Sequence, residues 1–325
     1  MKEREIVIIG AGPAGLAAAL GAKDKGAKDI LIIERDQYLG GILNQCIHNG
    51  FGLHRFKEEL TGPEYAQRYA DMVKSAGIEI SDRTFAVKIT NKKEIFCLKP
   101  GEMMKLKAKA IILATGCRER TREMIPIHGF RPSGVYPAGL AQKMINIEGW
   151  IPGEEAVIIG SGDIGLIMAR RMIFEGMKVK AVIEIMPKSR GLRRNIRQCL
   201  EDFSIPLYLS HKVTKIHGKE RVEKVSVCKV DESFKEIKDT SFDIKCDTVL
   251  VSVGLIPENE LLEAAGGLID KKTNSPVCLK PYQTSIEGIF SCGNCNKVYD
   301  LVDWVSRDSY EAGGLAAMYA NGELK

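Results

Sequence analysis

No apolar run in the 325 residues approaches the roughly 20 that a membrane helix requires, so no membrane span is expected. The opening Met1-Lys-Glu-Arg-Glu leads directly into an apolar run at residues 6 to 9, which leaves no room for a signal peptide and makes the cytoplasm the expected compartment. Charge of one sign is also scarce. The 47 basic and 42 acidic residues give a formal net charge of +5, too small and too dispersed an excess for a nucleic-acid binder, and no basic, aromatic-interleaved platform stands out. The nine cysteines are odd in number and spread along the chain, which argues against a secreted disulfide framework and for reduced thiols. The remaining composition is globular: 45% hydrophobic, 27% charged and 32 glycines, enough to bury a core and divide into two domains.

Two segments 150 residues apart repeat one another. Residues 6 to 15 read Ile-Val-Ile-Ile-Gly-Ala-Gly-Pro-Ala-Gly, and residues 156 to 165 read Ala-Val-Ile-Ile-Gly-Ser-Gly-Asp-Ile-Gly. Each is an apolar strand running into G-x-G-x-x-G, then a helix-like stretch with Ala19 or Ala169, then a second apolar run ending in Glu34 or Glu184. The first glycine and the acid are 24 residues apart in both. Strand, glycine loop, helix and strand-end acid coinciding twice form a specific signal where a lone glycine motif is weak. Glycine lets the turn pass tightly and lets backbone N–H groups approach a pyrophosphate at a helix N-terminus, and the acid accepts from ribose hydroxyls. Two such units predict two dinucleotides, with a solvated strand-end carboxylate as the alternative reading of each acid.

Residues 109 to 116 form an apolar run ending in Ala114-Thr115-Gly116, and residues 284 to 294 end in Ser291-Cys-Gly-Asn294. Both resemble the signatures that accompany an N-terminal FAD motif in flavoproteins, where the second normally ends in an Asp that binds the ribityl or phosphate end of FAD. Asn294 keeps a hydrogen-bonding amide without the charge. The resemblance implies FAD at the first loop and NAD(H) at the second. Residues 247 to 259 resemble the matching Gly-x-x-Pro-Asn turn of the second unit, from Gly254 to Pro257, with Glu258 inserted before Asn259. These landmarks predict an α/β fold of two Rossmann-like dinucleotide-binding domains, an NAD(H) domain at 118–278 inserted into an FAD domain split between 1–117 and 279–325. Residues 78 to 107 and 203 to 246 read as antiparallel meanders. Residues 303 to 318 read as a helix whose Gly313 and Gly314 permit close approach.

The whole chain resembles the two-dinucleotide-domain flavoproteins that include thioredoxin reductase and the disulfide reductases, and is too short for the extra dimerisation domain of the glutathione reductase branch. Thioredoxin reductases carry a Cys-x-x-Cys shortly before the inserted nucleotide motif, but residues 134 to 142 hold no cysteine. Glutathione reductase relatives place two cysteines after a Gly-Gly, but Gly40-Gly41-Ile-Leu-Asn-Gln-Cys46 holds one. Disulfide reduction by either route is not expected. Residues 40 to 52, 160 to 171 and 291 to 295 resemble the NAD/FAD subunits of hydrogen cyanide synthase-like and amino-acid or opine dehydrogenase-like complexes, and most of all those that accompany a glycerol-3-phosphate dehydrogenase. That resemblance implies one part of a hetero-oligomer. A partner flavoprotein dehydrogenase subunit oxidises the organic substrate, an iron–sulfur subunit is a further candidate member, and this chain exchanges electrons with NAD(H) through its own FAD.

On this reading the candidate FAD-binding residues are Gly10, Gly12, Pro13, Ala14, Gly15, Glu34, Arg35, Gly41, Thr115, Gly116, Gly293 and Asn294. Those for NAD(H) are Gly160, Gly162, Asp163, Ile164, Gly165, Glu184 and Gly254. NADH is expected over NADPH because Glu184 would repel a 2′-phosphate, although the run from Lys188 to Arg197 has five basic residues and no acid. That run reads as a solvated face, a docking surface or a phosphate reader. Cys46 is the catalytic candidate, with His48 beside it. A thiol there stabilises an anionic flavin or donates as a thiolate if its pKa is depressed, and otherwise it is a small buried apolar residue. Cys292-Gly-Asn-Cys295, the only C-x-x-C, is expected where the last helix starts, a position that lowers thiol pKa values. Its readings are a redox pair, a metal or cluster site completed by a partner, and two reduced structural thiols. Two whole-chain alternatives stand beside the subunit reading: a stand-alone NADH oxidase or peroxidase working at Cys46, and a non-catalytic redox-sensing or structural subunit.

Overall fold

The computed structural model describes residues 2–324. The chain divides into two compact units, one formed by the residues up to Arg118 together with those from Ile256 onward, the other by Glu119–Leu255. The first division lies one residue from the expected 117/118, but the second falls at 255/256 rather than 278/279. The reason is packing. Leu262 is fully buried in the core of the first unit, with Leu261, Ala265 and Ile269 against it, so the segment after Gly254 is held by the first sheet.

In the first unit β1 (Lys2–Ile9) lies between two parallel neighbours, β2 (Ile30–Ile33) on one side and the end of a long strand (Glu102–Leu113) on the other. Ile6, Val7, Ile8 and Ile9 are all buried, the unbroken apolar run of a strand covered on both faces. One face, with Ile6, Ile8, Ile32 and Ile112, packs on α1 (Pro13–Asp24) and the C-terminal helix (Val302–Ala320). The other, with Val7, Ile9, Ile33 and Ile111, packs on an antiparallel meander of β3 (Phe85–Ile89), β4 (Glu94–Lys99) and β5, the long strand Glu102–Leu113. The meander begins at Phe85 rather than residue 78, because Glu79–Ser81 joins the parallel sheet beside β2. This meander is one of two locally basic stretches, the other being residues 188 to 197. Residues 85 to 109 hold seven lysines and two glutamates, matching the +5 of the whole chain.

The second unit repeats the plan. Five parallel strands run in the spatial order Val135–Pro137, Thr248–Val251, Glu155–Ile159, Lys178–Glu184 and Leu207–Leu209. Helices Ala138–Asn146 and Asp163–Phe174 cover one face. The meander of His211–His217, Lys224–Lys229 and Phe242–Lys245 covers the other through Val213, Ile216, Val225 and Val227.

All nine cysteines are free thiols. Burial pushes Cys97 and Cys199 up to about 11, and Cys46 and Cys246 up to about 12. Above the ordinary thiol pKa of about 8.5, the folded chain therefore holds protons that the unfolded chain has lost. This contribution is fully present below that value and declines as pH rises toward 11 to 12. The urea midpoint under reducing conditions should be lower at about pH 10 than at about pH 7.5. It should recover part of the difference in a Cys97→Ala, Cys246→Ala variant; equal pH sensitivity in the variant would show that these thiols do not cause the decline.

Candidate dinucleotide sites

Each glycine loop assigns three different tasks to its three glycines. Gly10 has φ +108°, and a Cβ there would collide with the Ala114 carbonyl of the Ala-Thr-Gly turn. A Cβ on Gly15 would collide with the carbonyl of Gly10. Gly12, which precedes Pro13 at the start of α1, has no heavy atom within 4 Å of the position its Cβ would take. In the second unit Gly160 has φ +97° and abuts the Ser252 carbonyl, Gly165 abuts Gly160 and Ser252, and Gly162 again faces open space. Neither helix carries a side-chain N-cap, so the first N–H groups of Pro13–Asp24 and Asp163–Phe174 have no side-chain acceptor there. Two helix starts lined by backbone, each facing a cradle that a single Cβ would fill, fit the pyrophosphates of two dinucleotides.

The strand-end acids are not solvated. Glu34 is buried, accepting from the N–H of Ala11 inside the glycine loop at 2.6 Å and from that of Asp36 at 2.9 Å. Glu184 is buried in the same way, accepting from Ser161 N–H at 2.9 Å, Ser161 Oγ at 2.6 Å and Met186 N–H at 2.9 Å. Each carboxylate ties its glycine loop to the end of the second strand. An ionised carboxylate offers about four acceptor positions, so capacity remains for a ribose hydroxyl. Arg35, next in the chain, is exposed.

Around the first cradle the Gly40-Gly41 turn lies against the loop. Gly40 N–H donates to Ala11 O at 2.8 Å, and a Cβ on Gly41 would lie 3.1 Å from the Gly12 Cα. Thr115 Oγ1 donates to Glu258 O at 2.6 Å, and Glu258 N–H donates to Gly116 O at 3.0 Å. The inserted Glu258, expected in the second unit, thus clamps the Ala-Thr-Gly turn of the first. Gly293, φ +69°, is held close to Ala14 of α1. Asn294 is half-buried and partly committed within the protein, its Oδ1 accepting from Tyr299 N–H at 3.2 Å and its Nδ2 lying 3.6 Å from Cys117 Sγ. Asp303, not singled out in the sequence, is buried in the first turn of the C-terminal helix. It accepts from Gly52 N–H at 3.2 Å and Arg55 N–H at 2.7 Å, fixing the loop that carries His54, whose ring stacks on Trp304 at 4.8 Å.

The thiols of the Gly40-Gly41 segment and of the C-x-x-C are all withdrawn from solvent. Cys46 is buried. Its Sγ donates to Ile42 O at 3.3 Å, and burial raises its pKa to about 12, opposite to the depression that a catalytic thiolate needs. Cys292 and Cys295 lie on a short turn, Gly293–Cys295 with its preceding residue, and the last helix begins only at Val302. Both are buried; burial pushes the Cys292 thiol up, and Cys295 Sγ donates to Leu113 O at 3.2 Å and Cys292 O at 3.1 Å.

In the second unit Asp163 opens the helix after the loop, and its Oδ1 accepts from Leu192 N–H at 2.8 Å and Asn195 Nδ2 at 2.7 Å. Gly191 N–H also donates to Ser161 O at 2.9 Å. The basic run is therefore fastened to the glycine loop by its backbone, while Lys188, Arg190, Arg193, Arg194 and Arg197 keep solvent-accessible side chains. Ile164 packs against the core, and Gly254, φ +106°, accepts from Arg120 N–H at 3.0 Å.

Residues 4–309 match the family model described as pyridine nucleotide-disulphide oxidoreductase. The chain is 22% identical to an opine oxidase subunit of Agrobacterium tumefaciens, over 99% of this chain and 66% of that protein. It is 25% identical to the glutamate synthase [NADPH] small chain of Mycobacterium tuberculosis, over 98% and 67%. It thus spans about two thirds of the length of these relatives. The thioredoxin reductase of T. acidophilum superposes with a TM-score of 0.76 at 22% identity, covering 99% of both chains, which places the fold. With two dinucleotide cradles and a family match across nearly its whole length, the chain belongs to the pyridine nucleotide-disulphide oxidoreductase family and is an FAD-containing, pyridine-nucleotide-dependent oxidoreductase.

Proposed function

We propose that this chain is the NAD(H)-handling subunit of a larger dehydrogenase, moving a hydride between NAD(H) and FAD and passing electrons to or from a partner dehydrogenase subunit of the glycerol-3-phosphate or amino-acid type. The observation that carries the reading is the paired cradle: one open glycine, one buried acid and one uncapped helix start in each unit. The loop of Gly10, Gly12, Pro13, Ala14 and Gly15, with Glu34, Arg35, Gly41, Thr115, Gly116, Gly293 and Asn294, would hold FAD. The loop of Gly160, Gly162, Asp163, Ile164 and Gly165, with Glu184 and Gly254, would hold NAD(H). Hydride chemistry resides in the flavin and nicotinamide rings themselves, so the protein's part is placement and electrostatics. Glu34 and Glu184 fix the loops and accept from ribose hydroxyls. The buried carboxylate of Glu184 disfavours a 2′-phosphate, which supports NADH as the nucleotide.

Residues 134 to 142 hold no cysteine, and Cys46 is single and protonated at neutral pH. That supports electron delivery to a partner rather than to a disulfide within the chain. The partner is a flavoprotein subunit, with an iron–sulfur subunit as a further candidate; the opine oxidase relative bears in its name the status of a subunit.

The test is reduction by NADH followed by exposure to air. The reading expects the flavin to be reduced once per chain and turnover in air to stay low without a partner. Sustained NADH oxidation in air that is lost in Cys46→Ser would install a stand-alone oxidase or peroxidase instead. With Cys46 as a packing residue, Cys46→Ala keeps the rate of flavin reduction by NADH within about twofold, because the thiol supplies no ionised group. Stopped-flow absorbance measures this directly, and a tenfold or greater loss with FAD still bound would return Cys46 to the chemistry.

A further inference from the structure

The outer face of the first unit's meander carries an apolar row in strict register. Phe85 on β3 stands opposite Leu98 on β4, which stands opposite Met103 on β5. All three are exposed, Met103 to 74%. A register shift between Ala86 and Lys88 leaves both Val87 and Lys88 exposed. The next row is Lys88, Phe96 and Lys105, with the Lys105 ammonium 5.0 Å from the centre of the Phe96 ring. Directly opposed residues share one side of a sheet, so these side chains form a continuous surface. Its reverse side is the buried row of Ala86, Ile89, Ile95, Cys97 and Leu106, which leaves the outer face rigidly backed. Lys88 and Lys105 interleave this patch and Lys107 follows on the same side opposite Glu94, whereas Lys93 lies over the Tyr319 ring; among the described residues ion pairs engage Lys105, with Glu94, and Lys107, with Glu3, and leave Lys88 without an ion pair.

We propose that this face docks the chain on an anionic lipid surface. Charge decides the occupant. A second copy would set this lysine field against itself in a symmetric contact. A protein covering the apolar row would also bury Lys88 and Lys105, which flank Phe96 directly, whereas interface cores are depleted in lysine. A lipid surface accepts both kinds of residue. Phe85, Leu98 and Met103 enter the boundary between headgroups and acyl chains, while lysine stems lie along the apolar surface and keep their ammonium groups among anionic headgroups. Apolar insertion and a polybasic field together supply the two signals that stable peripheral attachment needs. The absence of a helix long and apolar enough to cross a membrane among the described residues agrees with attachment at one leaflet. This inference is independent of the hydride reading, since no residue of either cradle takes part.

The experiment is co-sedimentation of the purified holoprotein with vesicles of phosphatidylcholine alone and of phosphatidylcholine containing one quarter phosphatidylglycerol. The protein should pellet with the anionic vesicles and not with the neutral ones, and added salt should release it. The variants F85S/L98S/M103S, with charge unchanged, and K88Q/K105Q, with the apolar row unchanged, should each bind about tenfold more weakly. Both variants should keep bound FAD and its reduction by NADH, which establishes that they are folded. Failure of the parent protein to pellet at low salt would overturn the proposal. So would undiminished binding of the F85S/L98S/M103S variant, which would mean adsorption through lysines alone. A dimer abolished by that variant, or a stoichiometric protein partner released by it, in the absence of vesicle binding would assign the face to protein.

Discussion

Replacing Gly12 with valine should give a folded protein that purifies without FAD. Gly12 has φ −71° and ψ −176°, a backbone conformation that valine adopts, and nothing in the protein lies within 4 Å of the added Cβ. The side chain projects only into the space required by a pyrophosphate, so the cost falls on the ligand. Flavin content per chain should drop at least about tenfold, and thermal stability should fall only by the amount that bound cofactor supplies. Gly162→Val makes the same change in the second cradle, at φ −70° and ψ 165°, and has a different expected outcome. FAD should remain bound, while reduction by a fixed low concentration of NADH slows about a hundredfold, equivalent to roughly 3 kcal/mol of lost binding. Flavin absorbance after gel filtration and anaerobic stopped-flow reduction separate the two variants. If Gly162→Val lost FAD and Gly12→Val kept it, the assignment of cofactors to cradles would be reversed.

Gly313→Ala should be among the most destabilising single methyl additions in the chain. Gly313 faces α1 so closely that a Cβ would collide with the Ala18 carbonyl, and across the same contact Gly21 faces the Tyr310 carbonyl. The obstacle is backbone on both sides, so relief requires the C-terminal helix to move off α1, at a cost of about 3 kcal/mol or more. The next residue supplies the control. A Cβ on Gly314 would meet the Lys25 side chain at 3.2 Å, a flexible neighbour able to move. Gly314→Ala should be neutral or slightly stabilising, since alanine is favoured over glycine in a helix by about 0.5 to 1 kcal/mol. Urea unfolding of the two variants measures the contrast. Equal midpoints would show that the two helices do not cross as closely as described.

What was legible in the sequence is what local chemistry determines. The glycine loops and the strand-end acids are written within 25 residues of chain, and part of their fit is local: Gly15 answers to Gly10 and Gly165 to Gly160, while the acids bond to their own loops. The close approach at Gly313 was legible for the same reason, small residues in a helical stretch. Contacts made across long separations were not. Glu258 clamps Thr115 from 143 residues away, and Asp303 holds the backbone of Gly52 and Arg55 from about 250, and no motif marks either partner. Burial was equally hidden. Cys46 lies where a reactive thiol was expected, and only the packing around it reveals a pKa moved upward. Glu34 and Glu184 carry a loop-fastening duty that their strand-end position does not announce. Lys88 and Lys105 counted as dispersed charge until the register of β3, β4 and β5 placed them on either side of Phe96, next to one apolar row.

The central claim, that one chain carries a hydride between a nicotinamide and its own flavin, is tested most directly by anaerobic titration of the purified protein with NADH and then NADPH while the flavin band is followed. The account predicts stoichiometric bleaching by NADH and little response to NADPH, the outcome expected from the role proposed for Glu184. Bound FAD that NADH fails to bleach would contradict it, and would leave a subunit that holds both dinucleotides without passing electrons between them.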